Sequence, residues 1–505
     1  MMGLVKRVID KLLEMQDRFY YEVWPYMRQG KGNVGLLRVI GEGGDSLLLK
    51  CHSPETVFCM SDGRLVPAPL LSSSDSFLSY KDRPDKQAYF EHAIADRGEV
   101  RMTHAPSLIR IYTRMGFTEV IPEHIFFVRT REEWKRIKCK TAAELKIGDH
   151  IPVAAHFTGQ NLPLPRYRSR REHELMELVG YIAGDGSIEE KRIRLFDENV
   201  RCLQYYGKLL SDFLNCDGSL CQQSNSEGFM YCVHSTDIVK FKSYIGEWNG
   251  LRYFNPSLFS RTRETIASLI RGFFDAEGGV GVGTGIYLHN TSPFLMKQIA
   301  CALLRFGIFM RVVRRPNRNP SNPSIPTHIY EGLITDYASI WNFYKYIGFN
   351  HPEKRRKLND FIKFFGSRKR HIRGRSRWGV SEDWENPSHY WSEVIGVEYG
   401  GNPYGYVISV TTTTHKLVAD GFITHNCDGA RIMYADGNES AKHIFTCSID
   451  TFLSILSGEE SLREAITKKH FAIENAETGE IDLVELEKWS RTFERLRYLL
   501  KKFGL

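Results

Sequence analysis

LVGYIAGDGS, Leu178 to Ser187, and IRGFFDAEGG, Ile270 to Gly279, are two versions of one pattern. Each closes an amphipathic helical repeat: Leu175, Leu178, Val179 and Ile182 in the first, Ile266, Ile270, Phe273 and Phe274 in the second. Each carries a glycine, Gly180 or Gly272, where two helices can approach closely. Each ends in an acid and then a glycine, Asp185-Gly186 and Glu277-Gly278, and the glycine suits a helix C-terminus. An acid there meets the negative end of the helix dipole, an unfavourable place for it. Two such violations at matching positions point to function. Helices packed side by side bring Asp185 and Glu277 together, and adjacent carboxylates repel unless a cation lies between them. Hard oxygen ligands of this kind suit Mg²⁺, and a metal shared by two carboxylates suits phosphodiester hydrolysis.

The segments downstream of the two motifs match as well. After the first, the pattern predicts a strand near 192–196, a helix near 200–214, a strand near 230–234 and a helix ending Tyr244-Ile245-Gly246. After the second come a strand near 286–289, a helix near 293–306, a strand near 309–313 and a helix ending Tyr346-Ile347-Gly348. One supersecondary unit used twice gives a pseudo-symmetric body. A saddle of strands with the acids beneath its centre fits across a duplex. On these two motifs the stretch from about 170 to 365 resembles the LAGLIDADG homing endonucleases. The resemblance implies double-strand DNA cleavage with Mg²⁺ held by Asp185 and Glu277, aided by nearby basic residues. Lys354, six residues after the second Tyr-Ile-Gly, is the basic residue named for that role, and Arg252 holds the parallel place in the first half.

The chain has 505 residues, a length that suggests roughly three domains. Hydrophobic residues make 42% and charged residues 25%, which excludes a disordered or fibrous chain. No run reaches the ~18 apolar residues of a membrane span. The N-terminus alternates charge and apolar residues with a helical period, unlike a signal peptide, so a cytoplasmic protein is expected. Ten cysteines without regular pairing or a CxxC motif describe neither a disulfide scaffold nor a zinc site. Residues 51–426 hold 49 basic and 40 acidic side chains, whereas the flanks together are almost neutral. The positive excess therefore lies in the middle, where either a polyanionic partner or a plain solvated surface accounts for it. Arg166, Arg168, Arg170 and Arg171 cluster before one helix, Arg311, Arg314, Arg315 and Arg318 after an apolar strand, and residues 366–385 read as a basic linker.

The two ends of that middle region carry a different chemistry. Cys51 opens CHSPETVFCMSDG, and the far end reads GYVISVTTTTHKLVADGFITHNC, Gly405 to Cys427. Short strands are expected at Val57–Met60, Tyr406–Thr411 and Gly421–Thr424, with a hairpin over Ser107–Val128 turning at Met115-Gly116. A cysteine thiolate is a good nucleophile. Cys51 can attack the carbonyl of Lys50 and turn that amide into a thioester, and Cys427 can then take over the N-terminal segment. Asn426 can attack its own backbone carbonyl, cyclise and break the chain. His425 and His415 can donate or accept a proton near neutral pH, and His124 is the candidate donor to the amide at the first junction. The order of Cys51, the His124 motif, two endonuclease motifs and His425-Asn426-Cys427 resembles an intein with an inserted endonuclease. Leu145-Lys146-Ile147-Gly148-Asp149 resembles the tail of such an element's first half. Two residues depart from the family's pattern. Ile121 stands where Thr is usual, and Val407 where Asp is frequent.

The expected architecture is a multidomain α/β mix. It combines a mostly-β, horseshoe-like splicing domain (51–165 and 386–426), a pseudo-symmetric duplicated α+β endonuclease domain (166–365) and a small α+β host domain split in sequence (1–50 and 427–505). Removing 51–426 joins Lys50 to Cys427, and the restored SLLLKCDGARIMYAD reads as a hairpin about an Asp-Gly turn. The host opens with an amphipathic helix from Leu4 to about Tyr26. Through Asp450-Thr451-Phe452 and Leu456-Ser457-Gly458-Glu459 it weakly resembles sterol-carrier-protein-like lipid-binding domains, which implies a lipid or apolar ligand. A small α+β domain of another role fits those segments equally. The competing functions are a DNA-binding nuclease that never splices and a lipid-binding host with an inert insertion. With the splicing residues in the other domain, replacing Asp185 or Glu277 by its amide is expected to leave splicing untouched.

Overall fold

The computed structural model describes residues 51–425 except 73, 83–89, 98, 106, 131–136, 155–169, 223–227, 282–283, 318–327, 367–388 and 412–415. Beyond them it describes the strands 36–41, 45–46, 430–435, 443–447 and 471–475. The chain divides into two compact units, Met1–Leu49 with Cys427–Leu505, and Lys50–Asn426. No described helix is long and apolar enough to cross a membrane. None of the described cysteines forms a disulfide.

In the smaller unit five strands form one antiparallel sheet, in the order 45–46, 36–41, 430–435, 443–447 and 471–475. Leu36–Gly41 pairs with Ala430–Ala435 from Leu36 opposite Ala435 to Gly41 opposite Ala430. Leu36–Gly41 also pairs with Asp45–Ser46. The hairpin expected for the joined host falls on 47–50 and 427–429, which lie outside the described residues. The expected helix from Leu4, the motifs at 450–459 and the linker 366–385 beyond Gly366 lie outside the described residues.

The larger unit contains a duplicated body. Helix α1 (Arg170–Asp185) is followed by α2 (Val200–Leu214) and the short α3 (Val239–Lys242). The second copy is α4 (Arg263–Glu277), α5 (Pro293–Leu304) and α6 (Tyr337–Asn342), and α7 (Pro352–Gly366) closes the body. Each half has a four-stranded antiparallel sheet of the same order, 186–188, 192–197, 229–234, 218–222 in one and 278–281, 285–290, 328–334, 311–316 in the other. The helices begin where side chains satisfy exposed backbone N–H groups. Asn199 accepts from the N–H groups of Arg201 and Cys202, Thr262 from Thr265, and Ser292 from Leu295 with Pro293 next in line.

One element departs from the repeat. Tyr346-Ile347-Gly348 does end a helical stretch, with Gly348 at φ +67°. Ile245-Gly246 instead opens a strand, Ile245–Trp248, paired with Leu251–Phe254. Asn249 and Gly250 both have positive φ, the two-residue turn that closes a tight hairpin. The Asn-Gly pair was the legible signal for it.

Most of the remaining strands of this unit form an extended β system built from residues on both sides of the duplicated body, and Ser76–Asp82 with Phe90–Arg97 makes a separate two-stranded sheet. His389–Gly401 holds it together. It pairs with His150–Ala154 through its first half and with Ser107–Thr113 through its second. The register shifts between Val394 and Gly396, where a bulge re-aims the strand.

One continuous apolar core runs from this β body into the duplicated body. Helix α5 is the junction. Gln298 donates to the carbonyls of Leu65 and Phe254, each at 2.9 Å, and Arg305 to those of Gly63 and Phe259. Tyr330 and Tyr404 both donate to Glu55, and Phe117 stacks on Tyr330.

Candidate functional site

Two constellations stand out, one in each body. In the duplicated body α1 packs on α4, and glycines set the distance. A Cβ added at Gly272 would lie 1.9 Å from the Glu177 carbonyl oxygen, and one at Gly180 would lie 2.1 Å from that of Leu269. Neither residue can be anything but glycine without moving a backbone. A third glycine, Gly184, carries no obvious mark in the sequence. Its missing Cβ leaves room for Glu277, whose Cγ would otherwise be 2.7 Å away. The Glu277 side chain thus lies over the last turn of α1, beside Asp185.

Both acids are partly exposed at the rim of the helix pair. Burial pushes the Asp185 carboxyl up to about 6, offset in part by Lys354, with Asp197 adding to the rise. Burial first, and the charge of Asp185 second, pushes Glu277 up to about 7, against the pull of Asn290, Lys354 and Arg252. The charge of one acid raises the other, so the two titrate as a pair.

The unfavourable helix ends are answered by cations at equivalent places. Lys354 Nζ donates to the carbonyls of Asp275 and Ala276 (3.0 Å for the latter) at the end of α4. Arg252 donates to Gly186 O at 2.9 Å at the end of α1. Each cation neutralises a helix C-terminus and also faces the acids. The repeat extends to the strand ends. Asp197 Oδ1 accepts from the Asn199 N–H at 2.7 Å, and Asn290 Oδ1 from the Ser292 N–H at 2.8 Å. Asn290 Nδ2 then donates to Glu277 Oε1 at 2.7 Å. Asn290 was not among the residues expected at the site; its place in the repeat, matching Asp197, was the available clue.

Asp197, Cys202 and His351 also converge, and their donor types would suit a transition metal. Yet the Asp197 carboxylate already accepts from the Tyr181 hydroxyl at 2.8 Å and the Asn199 N–H at 2.7 Å, with His351 Nε2 3.8 Å away. Burial works to raise its proton affinity, and these neighbours outweigh it and hold the carboxyl below the ordinary range, so its charge is already answered within the chain. The Asp185–Glu277 pair is different. Its proton affinity is raised, it reaches the surface, and both donors are hard oxygens, so a small divalent cation fits it.

The β body brings the other residues together through one corner. Ile121-Pro122-Glu123-His124 is a turn, closed by the His124 N–H on the Ile121 carbonyl at 3.1 Å. The strand before it, Gly116–Val120, pairs with Cys51–His52. The strand after it, Ile125–Val128, pairs with Phe422–His425, Phe126 opposite Thr424. The corner thereby places His124 between the first and last described residues of the unit's two ends. Cys51 is buried, with Ser409 as its strand partner and its carbonyl accepting from the Ile121 N–H at 3.2 Å. Ile121 thus serves by its backbone. Val407 is buried, where a carboxylate would need a partner.

His124 is buried and shares a 3.1 Å hydrogen bond with the Thr424 hydroxyl, a partner that no sequence pattern marks. Thr424 Oγ1 also lies 3.3 Å from the carbonyl of His425, linking the two histidine motifs. His425 is buried with its ring 5.4 Å from Phe127. His52, equally unmarked in sequence, stands 4.5 Å from His124 between ring centres. Burial, then Lys297, pushes His52 down to about 3, so it is neutral at physiological pH. His415, Asn426 and Cys427 lie outside the described residues.

Comparison with known proteins locates one part firmly. Residues 264–348, the second half of the duplicated body, match the LAGLIDADG-like domain family. Over 206 residues the chain is 32% identical to the glutamine–fructose-6-phosphate aminotransferase of Methanocaldococcus jannaschii, covering 37% of this chain and 17% of that protein. It is 26% identical to the ATP-dependent DNA helicase Hel308 of the same organism, over 48% of this chain and 20% of that one. It is 27% identical to the replication factor C small subunit, again of that organism, over 51% and 13%. The chain thus spans a fifth or less of the length of these relatives. Among solved structures, a mesophilic variant of the homing endonuclease I-DmoI aligns at a TM-score of 0.29 and 15% identity, over 35% of this chain and 92% of that one. The DUF199/WhiA protein of Thermatoga maritima aligns at 0.29 and 16%, over 41% and 63%.

Proposed function

We propose that residues 51–426 are a self-splicing element carrying a DNA endonuclease, inserted into the host formed by 1–50 and 427–505. The observation that carries this reading is where the chain divides. The compact units change over at Leu49/Lys50 and at Asn426/Cys427, within a residue of both junctions read from the chemistry. The relatives support it too. Their names denote unrelated activities, and the matched stretches are longer than the whole smaller unit, so they extend into the larger one. A portable segment accounts for such a pattern; a shared host activity does not.

In splicing, Cys51 Sγ attacks the Lys50 carbonyl carbon, and the departing Cys51 nitrogen takes a proton. His124, at the corner between the two ends, is the donor, held by Thr424. The thiolate of Cys427 attacks the resulting thioester and frees Cys51. The Asn426 side-chain nitrogen then attacks its own carbonyl carbon, forming a succinimide and releasing the Cys427 amine. That amine takes the acyl group from its own sulfur, leaving an ordinary Lys50–Cys427 amide. His425 and His415 serve proton transfer at this second junction.

The endonuclease would use Asp185 and Glu277 to hold Mg²⁺, which when bound stabilises charge developing on a phosphodiester. Asn290 orients Glu277, while Lys354 and Arg252 face the acids and offer positive charge to the phosphate. The target is double-stranded DNA, the host gene without the insertion, spanning the codons for Lys50 and Cys427.

Expression of the whole chain and intact-mass measurement of its products test the splicing reading. The expected products are 1–50 joined to 427–505 and a separate 51–426. Only the 505-residue chain after long incubation refutes it. Incubation of the purified chain with junction DNA and Mg²⁺ tests the nuclease separately, and intact DNA at every enzyme level refutes that part.

A further inference from the structure

We propose that Lys297, on α5 of the nuclease body, is a positioning residue for splicing, holding Asp420 where it ties both ends of the splicing body together. The proposal rests on the splicing reading. Asp420 sits in the turn between Lys416–Ala419 and Phe422–His425, directly before the strand that leads into Asn426. Its backbone is left-handed at φ +51°, so the position is tightly specified.

One carboxylate there gathers three elements. Oδ1 accepts from the Val57 N–H at 2.9 Å, and the Asp420 N–H donates back to the Val57 carbonyl at 2.8 Å. Oδ2 accepts from the Thr118 hydroxyl at 2.8 Å. Val57 lies six residues after Cys51, and Thr118 lies two before Val120, the strand partner of His52. The Cys51 segment, the His124 hairpin and the C-terminal hairpin therefore share one anchor.

That anchor is a charge in the interior, and its counter-charge comes from the other body. Lys297 Nζ lies 3.1 Å from Asp420 Oδ2, with side-chain exposures of 2% and 1%. The ammonium also lies 4.7 Å from the centre of the Phe117 ring. A buried carboxylate without its cation takes up a proton or pulls away from its site. Burial raises the proton affinity of Asp420, and Lys297 is the largest influence opposing it. Around the pair, Cys301 on α5 feels Asp420, with Cys59 and Arg305 beside it, and Glu119 acts on Glu55, while Glu55 and His52 lie near the ammonium. The nuclease body is thus a working part of the splicing body, and excising 170–366 would remove the cation on which the junction geometry depends.

The test compares four full-length chains: wild type, Lys297→Met, Asp420→Asn and the double variant. Splicing is timed by mass from pH 5.5 to 8.5, and thermal unfolding is followed in versions blocked by Cys51→Ala and Asn426→Ala. Lys297→Met should slow ligation about tenfold or more at pH 8, and the deficit should shrink as the pH is lowered and Asp420 takes up a proton. The double variant, with a neutral amide in place, should splice within a few-fold of wild type at every pH. A pH recovery that persists in the double variant would place the effect on Glu55 or His52, the other groups that feel Lys297, and overturn the assignment. Equal rates for Lys297→Met and wild type across the range would overturn it as well. A wild-type chain that does not splice overturns the functional reading and this role with it. The two failures are distinct, because the melting cycle still reports whether Lys297 and Asp420 are coupled.

Discussion

Replacing Glu277 with Gln should make the metal-free chain more stable at alkaline pH while ending DNA cleavage. Glu277 titrates near 7 in the folded chain against an ordinary value of 4.5. A group whose folded value is raised favours folding below its unfolded value, and that contribution is lost as pH climbs to the folded one. The window is therefore pH 4.5 to 7, with a plateau above. A difference of this size corresponds to about 3 kcal/mol on the plateau, as a ceiling. The side chain is partly exposed, so a gain of about 1–3 kcal/mol is expected for the variant at pH 8.5, and under about 1 kcal/mol at pH 5. Gln keeps the acceptor for Asn290 Nδ2, so shape and hydrogen bonding are preserved. The assay is hydrogen exchange of the α1 and α4 amides in a chelator, on chains blocked by Cys51→Ala and Asn426→Ala. Mg²⁺ should then protect these amides in the chain that keeps Glu277 and not in the Glu277→Gln chain. Equal protection of both chains at pH 8.5 would falsify the claim that two crowded carboxylates await a cation.

Asp185→Asn and Glu277→Gln, singly, should abolish nicking and cleavage of the junction sequence, while gel-shift binding remains and falls steeply with added salt, as counterion release requires. Gly272→Ala should cost about 3 kcal/mol or more, because its Cβ meets the Glu177 carbonyl; a melting temperature equal to wild type counts against the close helix crossing. Asn426→Ala should block ligation yet leave a thioester that added thiol cuts before Cys51, and Cys51→Ala should still allow cleavage before Cys427; identical product masses from the two variants would contradict the assigned roles. Lys354→Met should slow DNA cleavage and weaken α4's last turn together, measured by single-turnover rate and by exchange at Asp275–Glu277.

Periodicity, the repeat and the residues behind the proposed junctions were written along the chain. The two acid-glycine motifs with matching downstream elements are local patterns, so a reader of residues alone meets both halves of the duplicated body, the glycines Gly180 and Gly272, and the cations Lys354 and Arg252. Cys51 and His425-Asn426-Cys427 could be proposed as junctions from residues alone, because the chemistry proposed for them depends on neighbours in sequence. Pairing between distant segments leaves no such trace. That Ile121–His124 forms a corner between the Cys51 strand and the Thr424 strand depends on register across some 300 residues, so Thr424 and His52 stayed invisible. The hairpin about Asn249-Gly250 was legible but overridden by the expectation of symmetry. Above all, Lys297 on an apolar helix looks like an ordinary surface lysine in sequence. Only the packing of α5 against the Asp420 turn makes it a buried counter-charge, since the energy of a charge is set by what surrounds it in space.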